Sequence, residues 1–424
     1  MRALLAAFLL LPPTGAAADF FTLKGHGGPI MGIASAPDGR IATASFDNTV
    51  GLWTDGVPQW FEGHDAAVNV VLFNGTGIYS AGDDFTLRHW PGGEVLGRHK
   101  GKIVDLAASK THVASASWDG TIGLWPLDGS PSQILPVGSG GINAVAFSPD
   151  GAKLYSAGTD GTLRLWDVAT GEERQQLLRQ GFGLNVLLIN SDDGWLAYGA
   201  VDGGTRILDL HSGQELHDFT LERRPILALA LSPDRRHLAV GDGEGYIMVI
   251  DTQNWRIARD FRATLRGPVW ALAFSSDGKN IHAGGIDDAL YSWPLASLGE
   301  HGQMAQADLS FLKNPAEMGN GERQFARKCS ICHALTPEGK RRAGPTLHGL
   351  FGRPAGTVPG YLYSQTLTGS DIIWSDDTIN LLFDQGPDHY IPGTKMPMQR
   401  ITAEQDRADL IAYLRQATAL EDTK

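Results

Sequence analysis

A unit of about forty residues recurs along most of this chain, and no other feature restricts its fold as much. Each copy carries an acidic turn residue six positions before a bulky strand residue: Asp47/Trp53, Asp84/Trp90, Asp119/Trp125, Asp160/Trp166, Asp202/Leu208, Glu244/Ile250 and Asp287/Trp293. The bulky residues are 37, 35, 41, 42, 42 and 43 positions apart, close to the ~40–45 residues of one four-stranded propeller blade. Within a unit, Thr162-Leu163-Arg164-Leu165-Trp166 alternates as a strand with one buried face does. Ser148-Pro149-Asp150-Gly151 has the composition of a tight turn between strands. The last unit stops at Trp293-Pro294, one strand short, while Phe20-Phe21-Thr22-Leu23 precedes the first complete unit. This segment is predicted to supply the outer strand of the seventh blade, closing the ring and hiding its edge.

Ser117-Trp118-Asp119-Gly120-Thr121-Ile122-Gly123-Leu124-Trp125 and Gly158-Thr159-Asp160-Gly161-Thr162-Leu163-Arg164-Leu165-Trp166-Asp167 are close to the WD-repeat pattern, and Gly25-His26 and Gly63-His64 match its Gly-His element. Residues 19–298 therefore resemble a seven-bladed WD-repeat propeller. In that family a His, a Ser or Thr, the turn Asp and the strand Trp form one buried network. The resemblance assigns His26, Ser45, Asp47 and Trp53 to it in the first unit, and His99, Ser117, Asp119 and Trp125 in the third. From the fourth unit onward the Gly-His is missing, so those acidic turns need another partner. Read as chemistry, these polar sets suggest metal or catalytic sites. Because each recurs once per unit and they do not converge, the structural reading is preferred.

A different signal follows the repeats. Cys329-Ser330-Ile331-Cys332-His333 spells C-x-x-C-H, the attachment site of a c-type haem. Two thiols at this spacing reach both vinyl groups of one porphyrin, and the adjacent imidazole is placed to ligate iron. A thioredoxin-like pair and half a zinc site are the other readings of two such cysteines. Zinc would need further ligands, and the chain has only these 2 cysteines.

Charge and flanking segments narrow the setting. The formal net charge is -12. Residues 315–424 hold 12 Lys+Arg against 13 Asp+Glu, leaving 23 against 34 in the remainder, so the acidity belongs to the repeats. This argues against nucleic acid or an anionic membrane surface as partner. Met1-Arg2, the apolar run Ala3 to Leu11, and Ala16-Ala17-Ala18 form a leader pattern over residues 1–18, with cleavage expected before Asp19. Its apolar run is too short to span a bilayer. Residues 299–314 have no repeat register and read as a linker. Asn314-Pro315-Ala316-Glu317 suggests a helix start leading into Cys329. Thr402-Ala403-Glu404-Gln405 suggests a capping box before a helix with an apolar stripe at Leu410, Tyr413 and Leu414.

Residues 315–424 resemble mitochondrial-type class I cytochrome c, a small all-α domain. Besides C-x-x-C-H, the resemblance rests on Gly344-Pro345-Thr346-Leu347-His348-Gly349-Leu350-Phe351-Gly352-Arg353, on Ile391-Pro392-Gly393-Thr394-Lys395-Met396-Pro397, and on Gly321 and Phe325 facing Leu410 and Tyr413. It implies one covalent haem c on Cys329 and Cys332, with His333 as proximal iron ligand and the Pro345 carbonyl holding its imidazole. It implies Met396 as distal ligand, with Met398 the rival, and Arg353, Tyr363 and Trp374 as partners of a haem propionate. Leu382 stands where the family commonly has a haem-facing tyrosine, and Asp388 and His389 where mitochondrial proteins have docking lysines. Lys328, Lys340, Arg341, Arg342 and Lys395 remain basic; the run Lys340-Arg341-Arg342 reads equally as a solvated face or as a docking patch.

Two iron ligands leave no position for a substrate, so electron transfer is favoured over catalysis. The resemblance places haem attachment on the periplasmic side of a bacterial membrane, with redox proteins as partners and the propeller as docking platform. Two alternatives stand beside this. One is an oxidoreductase whose propeller carries a catalytic or second cofactor site, by architectural analogy with haem-d nitrite reductases. The other is an adaptor with a vestigial haem.

Overall fold

The computed structural model describes residues 18–138, 140–190, 192, 194–223, 225–264, 267–298, 317–337 and 342–419. The expected leader, apart from Ala18, and the expected linker lie outside these residues, as do Lys340 and Arg341.

Among the described residues, 28 strands form seven four-stranded antiparallel sheets, each running from an inner to an outer strand. Blade one is built from Ile30–Ser35, Ile41–Ser45, Thr49–Thr54 and Val57–Glu62. The seventh blade takes Phe21–Lys24 as its fourth strand, paired antiparallel with Ala289–Pro294 in the register Phe21 to Ser292. Leu23 then packs with Leu290, Trp53 and Ile41 in a cluster that joins the first and last blades. Ring closure therefore buries apolar surface as well as pairing an edge.

Burial follows position in the blade. Second strands such as His112–Ser117 are covered on both faces and carry small residues, because neighbouring blades pack against each side. Fourth strands such as Glu173–Arg179 are largely exposed. The expectation of a single buried face for Thr162–Trp166 is corrected for the same reason. Thr162 and Arg164 are only 1% and 9% exposed, and their polar groups are used internally. Inner strands are also clipped across blades: Asn69 donates to the Ile103 carbonyl (2.9 Å), Asn143 to Leu184 (2.8 Å) and Asn185 to Ile226 (2.9 Å).

The polar networks form, with one hydroxyl corrected. His26 Nε2 meets Thr43 Oγ1 at 2.7 Å, Trp53 donates to the same oxygen at 2.8 Å, and His26 Nδ1 lies 3.1 Å from Asp47. Blade three repeats this with His99, Ser115 and Trp125. Ser45 and Ser117, the residues expected there, sit two positions nearer the turn and instead donate to the carbonyls of Gly28 and Gly101. Two positions along a strand keep the same face but move the hydroxyl out of the tryptophan's reach. In blades four and five an arginine four residues on replaces the histidine, Arg164 to Asp160 and Arg206 to Asp202, both at 2.9 Å.

The second domain has five helices among the described residues: α1 (Asn320–Lys328), α2 (Gln365–Thr368), α3 (Asp376–Gln385), α4 (Pro387–Tyr390) and α5 (Glu404–Ala417). Helix α1 starts after an extended Gly319, not at Asn314, and the expected cap residues 314–316 lie outside the described residues. At α5 the Thr402 capping box does not form: Ala403 is the N-cap, without a side-chain bond. Arg407 occupies that corner, donating to the carbonyls of Ile401 and Thr402. The capping box present in the domain opens α3, where Ser375 and Thr378 bond reciprocally. Helices α1 and α5 cross at Gly321, where a Cβ would stand 2.1 Å from the Asp409 carbonyl oxygen. Phe325 meets Tyr413 beside this crossing at 5.7 Å. None of the described helices is long and apolar enough to cross a membrane.

Candidate haem-binding site

Helix α1 ends at the cysteine pair. The Cys329 N–H completes the helix at the Phe325 carbonyl, and the N–H groups of Cys332 and His333 both turn back to the Cys329 carbonyl, at 3.0 and 2.8 Å. This one tight turn puts two thiols and an imidazole on one wall. Cys329 and Cys332 are 3% and 8% exposed, and burial pushes their thiols up to about 12 and about 11. In the chain alone, burial therefore disfavours the thiolate form.

His333 is held from one side. Its Nδ1 lies 2.7 Å from the Pro345 carbonyl, an oxygen that only accepts, so the proton sits on Nδ1 and Nε2 keeps its lone pair. Gly344 makes this approach possible, since a Cβ there would be 2.4 Å from His333 Cε1. Burial lowers the histidine below its ordinary value, and the nearby Arg353 and Arg342 act in the same direction against the Pro345 bond. The imidazole is therefore neutral, the form that ligates metal.

These groups open onto a cleft of about 1360 Å³, open solvent at its mouth included. Leu347, Leu350, Leu382 and Phe383 give it apolar walls, and Met396 lines it. Met398 is 58% exposed, its sulfur lying near Gly386. The departure at Leu382 thus adds an apolar wall. Arg353, Tyr363 and Trp374 also line the cleft. Arg353 donates to the carbonyls of His348 (2.7 Å) and Thr346 (2.9 Å). The Tyr363 oxygen accepts from the Val358 N–H at 3.3 Å, leaving its own proton to donate.

Sequence reasoning missed several members. Ser364 Oγ and Gln399 Oε1 are buried with no hydrogen-bond partner among the described residues, and both residues line the cleft. Orphaned polar atoms in such a place fit a bound group bearing polar substituents. Tyr361 is tied to the Ala343 carbonyl at 2.5 Å and stacks edge-on against Tyr363. A Ser and a Gln outside any motif carry no sequence signal. Five further lining residues, Phe46, Asn48, Ala66, Ala67 and Asp83, come from the propeller. Among the described residues no group of three or more His, Cys, Asp or Glu forms a second metal centre.

Fold and site together define a c-type cytochrome domain carried by a WD-repeat propeller. The family model for cytochrome c matches residues 318–418, and that for the WD domain, G-beta repeat, matches residues 19–54, 57–91, 94–126, 129–167 and 259–293. Blades five and six fold as four-stranded sheets without such a match. Cytochrome c of Sesamum indicum is 45% identical over 107 residues, 25% of this chain and 94% of that protein. Cytochrome c of Gibberella zeae is 40% identical over 102 residues, 24% of this chain and 95% of its own length. That of Euglena viridis is 41% identical over 95 residues, 22% of this chain and 91% of its own. The chain belongs to the cytochrome c family through its C-terminal domain, and its cofactor is one covalently bound haem.

Proposed function

We propose that this protein is an exported one-electron carrier whose haem would be ligated by two side chains, His333 and Met396, and whose propeller docks redox partner proteins. Haem-based electron transfer follows from the family. The ligands, the setting and the docking role are the proposed part. The observation that carries the reading is the pairing of a one-sided His333, anchored at Nδ1 by Pro345 at 2.7 Å, with Met396 on the same cleft.

Cys329 and Cys332 would hold the haem by thioether bonds, His333 Nε2 would ligate its iron, and the Met396 thioether would complete the coordination. When bound, the haem supplies reversible one-electron chemistry. The residues around it do the rest. Pro345 fixes the imidazole's tautomer and orientation. A thioether is a weak donor and raises the reduction potential. Arg353, Tyr363 and Trp374 line the cleft as partners for a propionate, which would be costly to bury alone. With His333 and Met396 both committed as ligands, the chain would leave no coordination position for a substrate, which favours electron transfer.

Export rests on the leader pattern of residues 1–18 and implies a periplasmic protein beginning at Asp19. The test is spectroscopic, on the haem-loaded full chain. Met396→Ala is expected to lose the methionine-to-iron charge-transfer band and to bind carbon monoxide when reduced, while Met398→Ala keeps the band. Loss of the band in Met398→Ala alone would reverse the ligand choice. The N-terminal residue of the same preparation reads out leader removal.

A further inference from the structure

The mouth of the cleft is partly lined by the propeller. Phe46 and Asn48 come from the turn between the second and third strands of blade one, Ala66 and Ala67 from the entry to blade two, and Asp83 from the corresponding turn of blade two. They stand opposite Lys328, Cys332, Tyr361 and Lys395 of the helical domain. Among the described residues, two polar contacts join the sides. Lys395 Nζ lies 2.9 Å from Asp65, and Arg342 donates to the Gly27 carbonyl at 3.2 Å. The charges are complementary, with carboxylates on the propeller and Lys328, Arg342 and Lys395 across from them.

The blades themselves supply a comparison. Phe46, Trp118 and Val201 each precede the acidic turn residue of their blade, in blades one, three and five. Trp118 is 56% and Val201 46% exposed, whereas Phe46 is half-buried at the cleft mouth. Ile286, in the same position of blade seven, is half-buried as well, so the bare residues are those of blades three and five, and Phe46 is the one that lies at the cleft mouth.

We propose that blades one and two are the lid of the haem site, with Asp65 latching the loop that carries Met396, so that an external redox partner reaches the haem after this contact opens. The lid residues are apolar and small over the cleft and acidic at its rim. The latch is exposed, with Asp65 64% accessible and Lys395 21%; such ion pairs are weak and screened by salt. The contact is therefore built to release. Lys395 immediately precedes Met396, so Asp65 acts as a positioning residue through its neighbour. This inference rests on the reading that the cleft holds the haem and that Met396 is its ligand.

The experiment uses the haem-loaded full chain, reduced and then mixed with two outer-sphere oxidants of opposite charge, hexacyanoferrate(III) and tris(phenanthroline)cobalt(III). Asp65→Lys replaces the latch with repulsion at an exposed position, so the fold is retained. Both oxidation rates are expected to rise about fivefold, the leverage of one exposed ion pair. Asp150→Lys, in the exposed turn of blade four, is expected to change neither. Acceleration of one oxidant with slowing of the other would mean a local charge effect, and unchanged rates would mean an open mouth; either result overturns the lid. The Met396 reading fails separately, by absence of the methionine-to-iron band in the unsubstituted protein.

Discussion

Buried histidines occur in both domains, and they differ in how many of their nitrogens the chain itself uses. In blades one to three, His26, His64 and His99 have both ring nitrogens within bonding distance of side chains from the same blade. In the helical domain, His333 has Nδ1 taken by a backbone carbonyl and lines a cleft. His282 of blade seven is also anchored at Nδ1, by Ser292 at 3.0 Å, but is 2% exposed within the core. A singly anchored imidazole is ready for a ligand where, as at His333, it also lines a cleft.

The largest expected contrast breaks each site by removing its centre. Cys329→Ser combined with Cys332→Ser is expected to abolish covalent haem, read as complete extraction of the cofactor by acid and organic solvent, with the propeller's circular dichroism unchanged. His26→Ala should keep the haem and destabilise the propeller by about 3–5 kcal/mol, because Asp47 then remains buried without its partner. Denaturant unfolding checks this. Haem loss in His26→Ala with unaltered stability would invert the assignment of roles.

A smaller effect sharpens the comparison through pH. Asp84 is saturated: burial alone would raise it, but hydrogen bonds and charge from His64, with those from Thr86, bring it down to about 2. Its folded value lies below the unfolded one, so its contribution is complete above about pH 4 and is lost as pH falls toward 2. Asp105 is the unsaturated carboxylate. It accepts from the Val145 N–H at 2.9 Å and forms no ion pair among the described residues. Burial raises it to about 7 against these backbone bonds. Here the folded value is the higher one, so stability is greatest below about pH 4 and falls as pH rises to about 7. Asp105→Asn is expected to flatten that slope, gaining on the order of 2–4 kcal/mol at pH 8 and almost nothing at pH 4. Equal effects at both pH values would show that the carboxylate is not titrating there.

The smallest test separates two hydroxyls in one strand. Thr43→Ala leaves His26 and Trp53 without their shared oxygen and should cost about 1–3 kcal/mol. Ser45→Ala loses its bond to the Gly28 carbonyl and the one it accepts from the Asp47 N–H, and should cost less, about 1 kcal/mol. A reversed order in thermal unfolding would restore Ser45 to the network.

Much of this was legible before any coordinates. The blade period and the closing strand at Phe21–Lys24 are written as local spacing and as a missing strand, and the crossing of α1 and α5 at Gly321 was implied by the resemblance to cytochrome c. Thr402 had the right composition for a cap, but the helix takes Ala403 as its N-cap, and Arg407 donates to the Ile401 and Thr402 carbonyls at that corner. Asp160 and Asp202 lost a histidine whose replacement, an arginine four residues on, was in plain view but had no motif to mark it.

What the sequence by itself determined is therefore what covalent spacing determines: two thiols and an imidazole in one turn, and seven units too regular to be anything but blades. Only the tertiary structure decided which hydroxyl each histidine meets, that Met396 and not Met398 lines the cleft, and that Phe46, Asp65 and Ala67 face residues roughly three hundred positions away. Contacts between such distant segments depend on how two surfaces fit and how their charges match. Neither property has a period or a spacing that a chain can display in one dimension.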